Sequence, residues 1–105
     1  MTAYAGNTTT FTPTMATATS VTVATANPFR KCLVIQNTSA ANIAIGLEGQ
    51  VLTGITATST NKCFVLSSTA GSNVLRFTEG FIPAGAITAY QASGSPINTL
   101  VVVEG

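Results

Sequence analysis

Residues 30–47 read RKCLVIQNTSAANIAIGL, and the fold turns on this stretch. Cys32-Leu33-Val34-Ile35 is an apolar run of strand length. Asn37-Thr38-Ser39-Ala40-Ala41-Asn42 is a cluster of the small and polar residues that turn a chain. Ile43-Ala44-Ile45-Gly46-Leu47 is a second apolar run. Two such runs joined by about half a dozen small residues predict a β-hairpin with a loop longer than the tightest turns. That hairpin is expected at the centre of an all-β domain. Its first strand, 30–36, is apolar on both faces at its middle, which places it away from a sheet edge. Asp at Val34 is then expected to cost several kcal/mol, as an unpaired buried charge.

Outward from the hairpin the same grammar repeats. Residues 19–24 alternate, with Val21 and Val23 on one face and Ser20 and Thr22 on the other, as in a half-buried strand. Ala26-Asn27-Pro28 ends it, because a residue before proline is pushed to extended or turn geometry. Glu48-Gly49-Gln50 reads as a turn. Residues 51–60 mix Val51, Leu52 and Ile55 with Gly54 and a Thr/Ser tail, and read as a loop carrying a short strand. Strands are expected at 62–66, 74–78, 86–91 and 97–103. The Ser/Gly-rich turn 67–73, the corner Phe81-Ile82-Pro83-Ala84-Gly85 and the turn Ser93-Gly94-Ser95-Pro96 separate them. About seven to eight short antiparallel strands at this spacing mark a small β-sandwich or barrel.

Composition agrees. The 105 residues suit one domain, and 46% of them are hydrophobic. Nineteen threonines favour pleated structure over helix. Only seven residues are charged: Arg30, Lys31, Lys62, Arg76, Glu48, Glu79 and Glu104. A soluble domain usually has about a quarter of its residues charged. A surface so poor in charge is poorly protected against association, which favours a permanently assembled subunit over a free monomer.

The net charge of +1 gives counterion release little to work with, so nucleic acid is not an expected partner. No run approaches the ~18 apolar residues of a membrane span, and the N-terminus lacks the pattern of a secretory signal. Synthesis and retention in a cytoplasm are expected. Arg30-Lys31 reads as a solvated strand edge. Residues 1–18 form a Thr/Ala-rich arm ahead of a domain at 19–105. Tyr4, Phe11 and Met15 are its large apolar groups, and the arm either frays or orders on a neighbouring subunit with Tyr4 and Phe11 as anchors.

Catalytic parts are scarce. The chain has no His and no Asp, so Ser-His-Asp and Cys-His arrangements cannot be built. Glu48, Glu79 and Glu104 read as solvated turn and terminal charges rather than a carboxylate pair. Cys32 and Cys63 sit in apolar runs and read as small buried hydrophobes, not as a bridge or a zinc site. Acidic oxygens do not cluster as calcium requires, and no cofactor is expected. The chain does not read as an enzyme. Phe64, Phe77 and Tyr90 lie in strands and are expected in the core. Phe29 and Phe81 stand beside Pro28 and Pro83 at strand ends, where they could stack on a sugar or anchor on another subunit, and core or corner packing is favoured over sugar binding.

Three groups of residues carry a family likeness. One is Pro28-Phe29-Arg30-Lys31 followed by Leu33-Val34-Ile35-Gln36-Asn37-Thr38-Ser39 and Asn42-Ile43. The second is Phe81-Ile82-Pro83-Ala84-Gly85-Ala86-Ile87-Thr88-Ala89, and the third is the closing Leu100-Val101-Val102-Val103-Glu104-Gly105. Over residues 21–105 the chain resembles small structural proteins of tailed bacteriophages. The resemblance implies a non-enzymatic β-domain of the virion, assembled in the host cytoplasm. It would decorate or cement the outer capsid surface, sometimes as a head-fibre base. The implied partners are the major capsid protein and further copies of the chain, as a trimer or dimer. Tyr4, Phe11, Met15, Phe29 and Phe81 are the candidate contacts. A tail, baseplate or fibre component and a carbohydrate-binding module using Phe29, Phe81 or Tyr90 are the alternatives.

Overall fold

A computed structural model of the chain describes residues 9–105; Tyr4 and the rest of 1–8 lie outside the described residues. The described residues form eight strands and no helix. The strands are β1 (Thr9–Phe11), β2 (Val21–Ala24), β3 (Leu33–Asn37), β4 (Ile43–Gly46), β5 (Phe64–Leu66), β6 (Val74–Phe77), β7 (Ile87–Gln91) and β8 (Leu100–Glu104). They make two four-stranded sheets, ordered β1-β8-β3-β6 and β2-β7-β4-β5, and all neighbouring strands are antiparallel.

The order has a simple origin. β4 pairs with β5, β3 with β6, β2 with β7 and β1 with β8. The chain is thus one long antiparallel ribbon doubled back between β4 and β5. Pairing of β3 with β8 and of β4 with β7 rolls that ribbon into two facing sheets. This is the architecture of an eight-stranded jelly roll. Leu33, Ile35, Leu100 and Val102 from one sheet meet Ile43, Ile45, Ile87 and Ala89 from the other in a single core. Each large side chain so buried is worth about 1.5–3 kcal/mol over an exposed one.

The hairpin expected at 30–47 is not formed. β3 lies in one sheet and β4 in the other, so the two apolar runs face each other across the core instead of pairing edge to edge. Asn37 fixes the crossing. Its buried carboxamide donates to the carbonyls of Ala41 (2.6 Å), Leu66 (3.0 Å) and Ser67 (3.2 Å). Its oxygen accepts from the Ser39 N–H at 3.0 Å and from Ser39 Oγ at 2.7 Å. Asn37 meets the Ser39 N–H and the Ala41 carbonyl, and Ser39 Oγ accepts from the Ala41 N–H at 3.2 Å, so these polar groups are satisfied without a hairpin ladder.

The two-sided burial expected for the 30–36 strand also moves. β3 is interior to its sheet, but Val34 is only half-buried and Gln36 is exposed. β4 instead is buried at every position. Segment 50–52 crosses its outer face. Thr88 Oγ1 donates to the Gln50 carbonyl at 2.5 Å, and the Leu52 N–H donates to Ser20 Oγ at 3.1 Å. A Cβ on Gly46 would lie 2.6 Å from Thr88 Oγ1 and 3.1 Å from the Leu52 side chain, which is why glycine stands there.

Residues 51–60 form no strand. Asn61 ties this loop together, accepting from the Thr53 N–H at 2.8 Å and donating to the carbonyls of Gly54 (3.0 Å) and Thr56 (2.9 Å). Within the stretch read as an arm, β1 pairs with β8 and Met15, 2% exposed, sits in the core.

Candidate functional site

The registers sort the connections between the two ends of the sandwich. Thr9 pairs with Glu104, Leu33 with Phe77 and Glu104, and Gly46 with Thr88. One end therefore holds the start of β1, the end of β8 and the connections 25–32, 47–63 and 78–86. The other holds 12–20, 38–42, 67–73 and 92–99. All seven charged residues fall in the first set of connections, on Glu104 beside them, or on β6 at Arg76, one position from that end. The second set contains no charge at all.

The charged end is built around Arg30. The guanidinium was expected in solvent, yet the residue is 6% exposed. Its Nε donates to Glu104 Oε1 at 2.5 Å. Its terminal nitrogens donate to the carbonyls of Pro83, Gly85 (3.1 Å) and Thr25 (2.8 Å). Five donors in a planar fork allow one side chain to hold four acceptors on three segments. Glu104 is accordingly not a solvated terminal charge: its side chain is mostly covered and bound to Arg30. Lys31, Glu48 and Glu79 are exposed, as a solvated reading requires, and Lys62 is exposed as well.

Backbone contacts lock the same loops. The Asn27 N–H donates to Ala84 O at 2.8 Å, and the Gly49 N–H donates to Ala86 O at 2.8 Å. Gly105 O accepts from the Lys31 N–H at 2.5 Å and the Cys32 N–H at 3.1 Å. Asn27 Oδ1 takes the Phe29 N–H at 3.0 Å, and the Arg30 N–H donates to Asn27 O at 3.2 Å. Gly85 has no room for a side chain: a Cβ there would meet the Glu48 backbone at 2.8 Å and its carboxylate closer still. Glu48 itself holds a left-handed φ of 56°.

Large apolar groups are left outside at this end. Phe29 is 84% exposed and Phe81 64%, so neither is packed into a corner. The Phe81 ring meets Phe77 edge-on, with centroids 6.0 Å apart. Phe64, expected in the core, is 48% exposed: it starts the edge strand β5, which has no neighbour on its outer side. Phe77 and Tyr90 are half-buried. Of the other candidate contacts, Met15 is spent in the chain's own core, and Phe11 contributes its backbone to β1. Tyr4 lies outside the described residues.

Phe64 also borders a half-open groove of about 430 Å³, lined with Leu47, Gln50, Ala57, Thr58, Lys62 and Cys63. Cys32 is buried and Cys63 partly so, and both are free thiols. Burial pushes the Cys63 thiol above its ordinary value, so it holds its proton to higher pH than an open cysteine. Among the described residues no three His, Cys, Asp or Glu side chains come together as a metal site would require. Nor does any buried side-chain polar atom there lack a hydrogen-bond partner. This end presents apolar knobs among exposed charges of both signs, on loops fixed by a buried cation. No protein-family model, curated protein or solved structure matches the chain.

Proposed function

We propose that the chain is a non-enzymatic virion protein of a tailed bacteriophage, one that docks by its charged end on the outer capsid surface and decorates or stabilises the head. The observation that carries the reading is the division of the surface. Charge and exposed phenylalanine gather at one end, and the other end carries no charge and none of the exposed large apolar side chains. Interfaces pair an apolar centre with a polar rim, and the charged end has both. The likeness of residues 21–105 to phage structural proteins supplies the partner, the major capsid protein. Jelly rolls recur in viral shells, although they also serve as lectins, so the fold supports the reading only by analogy. Copies arranged as dimers or trimers would hold a shell by many modest contacts.

Co-sedimentation with phage heads that lack the chain tests this. Saturable binding is expected, with better survival of heat or low salt if the protein is a cement. Binding without added survival would mark a decorator alone. Absence of binding, with the protein found on tails or held by sugars, would overturn the reading.

A further inference from the structure

The turn at 27–30 joins two properties that seldom meet by accident. It carries the most exposed large apolar side chain among the described residues, Phe29. Its backbone is also held by hydrogen bonds within the turn and to the 78–86 connection. Asn27 closes the turn with its side chain and backbone oxygens, and its own N–H is tied to Ala84 O. Pro28 restricts φ next to Phe29. Arg30, directly after it, is anchored through its guanidinium to Glu104 and to three carbonyls. An aromatic ring held out in water on an immobilised turn gains nothing for the fold of this chain. The backbone that carries it is already held, so binding has to fix little beyond the ring's own torsions, which lowers the ordering cost of an interface anchor.

The surroundings select the class of partner. Next to Phe29 stands exposed Lys31, and the neighbouring connections carry exposed Glu48, Lys62 and Glu79. Charges of both signs do not suit an anionic lipid surface or a nucleic-acid backbone, which call for one sign. They suit the polar rim of a protein–protein contact around an apolar centre. Phe81 lies on the loop that Arg30 clamps, but its ring is partly engaged by Phe77, so it flanks the contact.

We propose that Phe29 is the docking anchor: an aromatic knob that enters an apolar pocket on the capsid protein, with the Arg30 clamp as its positioning device. The inference rests on the docking reading above and names the residue through which it acts.

The test measures binding of purified Phe29→Ala, Phe29→Leu and Ser68→Ala proteins, with wild type, to phage heads that lack the chain. Ser68 lies exposed at the neutral end and serves as the control. Because Phe29 is largely in solvent, Phe29→Ala should unfold at the wild-type denaturant midpoint. Its head binding should weaken by about tenfold or more. Phe29→Leu should recover part of that, and Ser68→Ala should bind as wild type does. Equal binding by Phe29→Ala and wild type would overturn the anchor while leaving the docking reading in place. Equal weakening in Phe29→Ala and Ser68→Ala would also overturn it, since the loss would not belong to this turn. If wild type itself fails to bind heads, the docking reading falls and the anchor with it.

Discussion

Arg30 shows what a single residue can conceal. In the sequence it stands beside Lys31 ahead of a strand, where a solvated basic pair is the natural reading. Its carboxylate partner is 74 positions away, and two of its three carbonyl partners, Pro83 and Gly85, come from a loop that only the folded topology brings near. No local pattern announces such a clamp. Asn37 and Asn61 are similar, since small polar residues in loops look alike until their backbone partners are known. Replacing Arg30 with Met should keep much of the stem's packing and remove every one of these hydrogen bonds. Breaking a buried pair from one side costs about 3–5 kcal/mol. Glu104 keeps some access to water, so the lower part of that range is expected in urea unfolding of Arg30→Met. Glu104→Gln, which leaves an acceptor in place, should cost less. A loss below about 1 kcal/mol for Arg30→Met would show that the clamp does not hold the loops.

The strands were legible as elements, and their partners were not. Seven of the eight overlap stretches whose alternation or apolar character marks them as strands; β1 lies in a Thr-rich stretch with nothing to set it apart. Pairing depends on contacts across the whole chain, and close succession suggested a hairpin where the chain instead changes sheets. The runs in β3 and β4 are equally apolar on paper. What separates them is the cover: segment 50–52 folds back over the outer face of β4 at Gly46, while the outer face of β3 has half-buried valines and the exposed Arg76 beside it. The same substitution should therefore act differently in each. Ala44→Asp places a charge at a fully covered position between Val65 and Tyr90 and should abolish folding. Val34→Asp should leave soluble folded protein at a cost of about 1–2 kcal/mol. Circular dichroism and denaturant melts of the two variants decide it, and equal damage from both would contradict the assignment of the covered face.

At the scale of the molecule, the jelly roll gathers what the sequence scatters. The seven charges span residues 30–104 and look evenly spread along the chain. Alternate connections, however, lie at opposite ends of a ribbon rolled this way, and the charges occupy only one of the two sets. The domain thus acquires a charged end bearing exposed Phe29 and Phe81, and a neutral end rich in Ser and Thr. The central claim is that the charged end is the one that docks. Electron cryomicroscopy of phage heads carrying the chain tests it most directly. The account predicts that connections 25–32 and 78–86 abut the capsid protein, with Phe29 in contact, and that 38–42, 67–73 and 92–99 point away from the shell. Density with the neutral loops against the shell, or heads that never carry the chain, would contradict it.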